Sequence, residues 1–139
     1  MAAELGLVAF FKDEQHIIDE WVQHYLRVGV THFFMFDNGT RDNSLRILER
    51  YGDRVTIFPA QNLTQMQATR RGYRQARKTC EWTIVCDLDE FLYVEDGSTI
   101  PEFLKRVPKG KSVVHVRWKN FIPSGLLQPK SCIQSSVIY

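Results

Sequence analysis

The chain has 139 residues, 44% hydrophobic and 24% charged, with a formal net charge of +2. That length suits one domain with a single core and is short for a complete enzyme. The charge is too mild to specify a nucleic-acid partner, and no apolar run approaches the roughly 20 residues of a membrane helix.

"LGLVAFF" (Leu5 to Phe11) reads as a buried strand. A helix follows, with Asp13 as candidate cap. Ile17, Ile18, Trp21, Val22, Tyr25 and Leu26 form its broad apolar face, and Gly29 stands where it should stop. "THFFMFDNGT" is a second strand running into the turn signal Asp37-Asn38-Gly39. Asp42 or Asn43 can cap a short helix carrying Leu45, Ile47, Leu48 and Tyr51, stopped at Gly52. "RVTIFP" is a third strand, a longer helix covers Thr64 to Thr79, and "WTIVCD" is a fourth strand. Strand alternating with helix in this way predicts an α/β domain with a parallel sheet and crossover helices. "STIPEFLKRV" reads as a short helix capped by Ser98 or Thr99, and "SVVHVRWKNF" and "SCIQSSVIY" alternate like half-buried strands. The sequence breaks off at Tyr139 within the last of these, as a piece of a longer domain would. The opening residues lack a basic region followed by a longer apolar stretch, so no secretory signal is read. Cys80, Cys86 and Cys132 are odd in number and lack metal-ligand spacing, which fits reduced thiols in a cytoplasmic protein.

Ligands of open parallel sheets bind beyond the carboxyl ends of the strands. Lys12-Asp13-Glu14, Asp37-Asn38 and Asp87-Leu88-Asp89 all follow strands, so carboxylates from separate strands converge on one edge. Along an extended chain Asp87 and Asp89 share a face and repel each other unless water, hydrogen bonds or a cation neutralises them. Hard oxygen ligands suit magnesium or manganese, held by one or two carboxylates plus a substrate's phosphates. The preceding helix adds Arg70, Arg71, Arg74, Arg77 and Lys78, and guanidinium groups are of the kind that bind diphosphate. Each feature also has a plainer meaning. D-x-D recurs by chance, an arginine row is commonly a solvated helix face, and Asp37-Asn38-Gly39 is a turn signal in its own right. His16, His24, His32 and His115 lack H-x-H or H-x-x-x-H spacing and read as structural, His115 being the nearest to an exception.

"FKDEQHIIDEWVQHYLRVGVTHFFMFDNGTRDNS", "RRGYRQARKTCEWTIVCDLDEFLYV" and "WKNFIPSG" together resemble GT-A-fold glycosyltransferases of the family 2 and family 92 type. Those families share a strand ending in K-x-E, an E-W-x-x-H/Y helix, a D-N-x-S-x-D turn, W-x-x-x-x-D-x-D-E-F and a later W-x-x-F-G-S-S-G. The likeness covers nearly the whole chain in order. "DNGTRDNS" departs slightly from the turn motif, and Ile122-Pro123 stands where the family has Gly-Ser. The resemblance implies a single GT-A-like, Rossmann-like domain over residues 1–139. Its sheet would be mostly parallel, with helices on both faces, and would end in additional strands. It further implies a metal-dependent transfer, inverting in stereochemistry, from a nucleotide-sugar (a uridine diphosphate sugar above others) to an acceptor hydroxyl.

Carried over by position, Lys12 and Glu14 line the nucleoside pocket, Asp37 contacts base or ribose, and Arg70 or Arg71 approaches the diphosphate. Asp87 faces the ribose or the metal's shell, and Asp89 ligates Mn2+ or Mg2+. Trp118, Ser124 and Gly125 lie on the acceptor side, and no general base is assigned. The principal alternative is a nucleotide-sugar-binding fragment or degenerate relative without turnover. A haloacid-dehalogenase phosphatase fits less well, because here D-x-D ends the fourth strand and Phe91 stands where a Thr or Val follows. RNA binding through the arginine helix would need a basic stripe interleaved with exposed aromatics.

Overall fold

The computed structural model describes residues 4–123 and 136–138. Strands β1 (Leu5–Phe11), β2 (His32–Asp37), β3 (Val55–Pro59) and β4 (Trp82–Val85) form one sheet in the order β3-β2-β1-β4. Every pair is parallel, with Gly6 opposite His32, Phe33 opposite Val55 and Leu5 opposite Trp82. The crossovers are helices α1 (Ile18–Arg27), α2 (Ser44–Glu49) and α3 (Gln65–Ala76), and α4 (Ile100–Leu104) follows β4.

Apolar residues cover both faces of the central strands, which is why β1 and β2 read as unbroken hydrophobic runs. Leu5, Leu7, Ala9 and Phe11, with Phe33 and Met35, join Ile18, Trp21, Val22 and Tyr25 of α1 and Leu48 of α2 in one core. On the opposite face Val8, Phe34 and Phe36 meet Ala68 and Ala76 of α3. The expected α/β architecture with helices on both faces is therefore present. A separate antiparallel ribbon of β5 (Phe121–Pro123) and β6 (Ser136–Ile138) supplies the additional strands.

Helix ends follow local chemistry. α1 finishes in a Schellman arrangement: Gly29 N–H donates to Leu26 O at 3.2 Å and Val30 N–H to Tyr25 O at 2.9 Å, with Gly29 at φ +106°. Thr64 caps α3 in a reciprocal capping box with Gln67, and Thr99 does the same for α4 with Glu102.

Three expectations need correction. Asp13 does not cap α1, whose N-cap position, Ile17, makes no side-chain cap bond. Asp13 instead adopts φ +54° and its carboxylate accepts the Arg41 and Asp42 N–H groups. α3 stops at Ala76, short of Thr79. Residues 111–120 form no strand. Alternation makes a strand only where one face finds a surface to cover, and here Val113, Val116 and Trp118 stand 65%, 56% and 80% exposed.

Gly72 is buried where α3 lies on the sheet, and a Cβ there would overlap Val8 Cγ1 and crowd Phe36 Cε2. Gly72→Ala should therefore destabilise the fold by about 1–3 kcal/mol despite alanine's better helix propensity. Urea unfolding measures it, and an unchanged midpoint would contradict this packing.

His32, bonded to Thr56 Oγ1 at 2.8 Å, is pushed by burial below the usual histidine value of 6.5. The unfolded chain then binds the proton first, so stability falls as pH is lowered through 6.5, until the folded-state imidazole itself protonates. Urea midpoints across that range should fall less for His32→Gln than for the unaltered chain.

Candidate active site

The winding order creates the site. Two crossovers carry the chain outward from β1 to β2 and β3, and the third returns it to the other side of β1 as β4. The loops leaving β1 and β4 are thus neighbours at the carboxyl edge where the strand order reverses, the switch point where open α/β sheets bind ligands. An open cleft of about 610 Å³ lies there, lined by Lys12, Glu14, His16, Gln65, Asp87 and Asp89 over an apolar floor that includes Phe11 and Leu88. Its volume falls in the range of roughly 300–1,000 Å³ common to small-molecule sites.

The loop carrying Lys12 and Glu14 is held by the loop after β2. Glu14 N–H donates to Ser44 Oγ at 2.9 Å and Gln15 N–H to Asp42 Oδ2 at 2.9 Å. Asn43 N–H donates in return to Gln15 Oε1 at 3.2 Å. Ser44, fully buried, also donates its hydroxyl to Asp42 Oδ1 at 2.6 Å. Much of "DNGTRDNS" is thus a framework for its neighbouring loop. Asp37 belongs to it: its Oδ1 accepts Thr40 N–H at 2.7 Å, closing the turn that Gly39 completes at φ +78°.

On the other wall, Asp87 to Glu90 form a tight turn. Glu90 N–H donates to Asp87 O at 3.2 Å, and Glu90 Oε2 accepts Asp87 N–H at 3.0 Å. Gln65, the first residue of α3, donates Nε2–H to Asp87 Oδ1 at 2.8 Å. Leu88 is buried while Asp87 and Asp89 are exposed, as alternation along the chain requires. The Asp89 carboxylate makes no hydrogen bond among the described residues. Burial raises the Glu14 carboxyl above its usual range; His16 opposes this, and Asp89, Asp42 and Asp13 reinforce it. Glu14 and Asp89 are therefore electrostatically coupled across the cleft.

Among the described residues no group of three or more His, Cys, Asp or Glu side chains could cage a metal ion. The donor set fits the other kind of divalent site, in which one or two carboxylates share the ion with a ligand's phosphates.

Of the residues expected to form the site, Lys12, Glu14, Asp87 and Asp89 come together in this cleft. Asp37 does not line it. Arg71 lines a second cleft of about 530 Å³ with Pro59 to Leu63, and Arg70 is exposed and lines neither. Trp118 does not line the cleft either, and Lys119 beside it pairs with Glu95 at 2.6 Å. Ser124 and Gly125 lie outside the described residues. Two lining residues escaped the sequence. His16, read as structural, stands 3.8 Å from Glu14. Gln65 could have been found from the Thr64–Gln67 capping pair, which starts α3 at the sheet's carboxyl edge. His115, the candidate exception, is exposed in the 111–120 segment. Cys80 and Cys86 are free thiols, as expected of reduced cysteines.

A doubly wound α/β sheet with a polar cleft at its switch point is the frame in which open α/β proteins bind their ligands. Comparison with known sequences narrows the class: residues 8–124 match the model of glycosyltransferase family 92, and the chain belongs to that family. It is 25% identical over 130 residues to a glycosyltransferase family 92 protein of Ricinus communis, covering 88% of this chain and 24% of that protein. A family 92 protein of Oryza sativa subsp. japonica is 24% identical over 135 residues, covering 89% of this chain and 22% of the relative. The chain thus spans about a quarter of the length of these relatives. Of the two families the sequence resembled, family 92 is the one matched.

Ser44→Ala would remove the hydroxyl that Glu14 N–H and Asp42 both use. Leaving these groups short of a partner should cost about 1–3 kcal/mol, read as a lowered urea midpoint.

Proposed function

We propose that this chain is the donor-binding part of a glycosyltransferase that moves a sugar from a nucleotide-sugar, a uridine diphosphate sugar first among candidates, to an acceptor hydroxyl. The observation that carries this reading is the meeting of Lys12, Glu14, Asp87 and Asp89 in one cleft at the β1–β4 switch point. Family membership supports it independently.

Breaking a glycosyl–phosphate bond leaves negative charge on the departing nucleoside diphosphate. Bound Mn2+ or Mg2+ supplies Lewis-acid stabilisation of that charge. Asp89 would hold the ion, its carboxylate being exposed and making no hydrogen bond among the described residues, and Asp87 would complete the carboxylate pair. Gln65 fixes the Asp87 carboxylate at 2.8 Å and so limits its rotation. Lys12 adds a cation to the opposite wall, suited to a phosphate oxygen. Glu14 contributes a carboxyl that burial keeps easier to protonate than usual, suited to a polar hydroxyl or base edge. Arg71, beside the second cleft, would meet only a ligand that extends toward β3. An inverting displacement needs a general base near the acceptor. Glu90 does not offer one, because its carboxylate is turned onto Asp87 N–H.

One observation favours the narrower reading of binding without turnover: Trp118, assigned to the acceptor side, lines no wall of the cleft. Calorimetric titration of nucleotide-sugars with and without Mn2+ tests the donor site. Metal-dependent binding of one nucleotide class should appear, and Asp89→Asn should abolish it. Binding that ignores both metal and Asp89 would overturn the metal assignment, and no binding by the folded chain would overturn the donor reading.

A further inference from the structure

The acidic turn has few backbone partners of its own. β4 ends at Val85, and Cys86 N–H makes one more bond across to Val8 O at 3.4 Å. From Asp87 to Leu92 the chain has no ladder, and Glu90 N–H to Asp87 O is its one internal backbone bond among the described residues. Four of the remaining groups, Asp87 O, Glu90 O, Leu92 N–H and Leu92 O, are taken by three neighbouring side chains of α1. Trp21 Nε1–H is shared between Asp87 O and Glu90 O, at 3.1 Å to each. Tyr25 donates its hydroxyl hydrogen to Glu90 O at 3.0 Å and accepts from Leu92 N–H at 3.0 Å and from the Cys86 thiol at 3.3 Å. His24 Nε2 meets Leu92 O at 2.8 Å.

A phenol has one donor hydrogen and two acceptor sites, so the Tyr25 hydroxyl is saturated and allows the turn a single position. Trp21 and Tyr25 are fully buried and His24 is nearly so. Their rings lock one another edge to face, Trp21 to Tyr25 at 4.9 Å and His24 to Tyr25 at 5.1 Å. His24 also packs edge-on against Phe91 at 5.2 Å, inside the clamped segment. A rigid aromatic row therefore grips the main chain on both sides of Asp89 while leaving both aspartate carboxylates toward the cleft.

We propose that Trp21, His24 and Tyr25 are positioning residues that set where the Asp87 and Asp89 carboxylates stand in the donor cleft. The proposal rests on the donor-site reading above. The three residues hydrogen-bond only main-chain atoms of this turn, touch neither aspartate carboxylate, and are not metal or donor ligands. Their effect is on ligand affinity through geometry, because groups that orient first-contact ligands typically change metal affinity about 10–100-fold when removed.

The experiment titrates Mn2+ in the presence of uridine diphosphate, reading free Mn2+ by electron paramagnetic resonance. It compares the unaltered chain with Tyr25→Phe, Trp21→Phe, Asp89→Asn and Ile18→Val. Ile18 is buried on the same helix and bonds no part of the turn, so Ile18→Val supplies a core destabilisation without touching the clamp. Tyr25→Phe keeps the ring and loses only the hydroxyl. It should weaken Mn2+ binding about 10–100-fold, with Ile18→Val unchanged, and with amide exchange rising at Glu90 and Leu92 in the tyrosine variant alone. Equal affinity in Tyr25→Phe and the unaltered chain, with Asp89→Asn inactive, would overturn the clamp and leave the donor site standing. An unaltered chain that binds no better than Asp89→Asn would overturn the donor site and the clamp's purpose with it. Should Tyr25→Phe fail to fold, Trp21→Phe decides by the same criteria.

Discussion

The structure turns on β1 being paired on both edges and covered on both faces. Once β2 and β3 have been laid down on one side, the free edge of β1 is the place left for β4 beside it, and α3 must cross the opposite face to deliver it. Gly72 lets that crossing helix lie against Val8 and Phe36. Everything functional follows from the gap this reversal leaves. The β1 loop leads into α1, the β4 loop is held against that same helix, and the polar groups at both ends face a common opening. A parallel sheet wound in one direction throughout would bring the same residues to the edge with no cleft between them.

Much of this was legible in the sequence because its causes are local. Leu5–Phe11 is an uninterrupted apolar run, and only a strand buried on both faces needs one. Asp87, Leu88 and Asp89 alternate, so their division into cleft and core followed from strand geometry once Val85 closed the run. The Thr99 cap and the Gly29 stop are chemistry of single residues. What escaped depends on distant neighbours. Gln65 reaches Asp87 from 22 positions away, and nothing in an isolated glutamine announces that. Asp13 sits before a helix like a cap, but its left-handed backbone turns the carboxylate toward Arg41 and Asp42, a contact that exists only after β1 and β2 pair. The arginines on α3 share sides at helical spacing, yet periodicity cannot say which side meets which cleft. Packing of Ala68, Gly72 and Ala76 against the sheet fixes that, and it leaves Arg71 near Pro59 and Arg70 at neither opening. The alternation continues from residue 112 to 120, but no sheet pairs with it there among the described residues.

The "DNGTRDNS" turn shows how a motif and a role can come apart. Its residue types read equally as ligand contacts or as a turn, and the geometry commits Asp37, Thr40, Asp42 and Ser44 to hydrogen bonds that shape two adjoining loops. A carboxylate so engaged has less capacity for a ligand than one facing open space, as Asp89 does. The order of the site is therefore built from outside inward. One loop is laced to another to present Glu14, and a helix is laced to the strand end to present Asp89.

Cys86 gives the seam between helix and strand end a chemical signature. Its thiol points to the Tyr25 hydroxyl, and burial pushes it up to about 12. Sulfur reacts with alkylating agents and peroxides as the thiolate, so in the closed arrangement burial disfavours the reactive form of this atom. It becomes nucleophilic only when the tyrosine lifts away and water enters. The rate at which an alkylating agent consumes it is thus a clock for how often the seam breathes, read from a single sulfur atom beside the acidic turn.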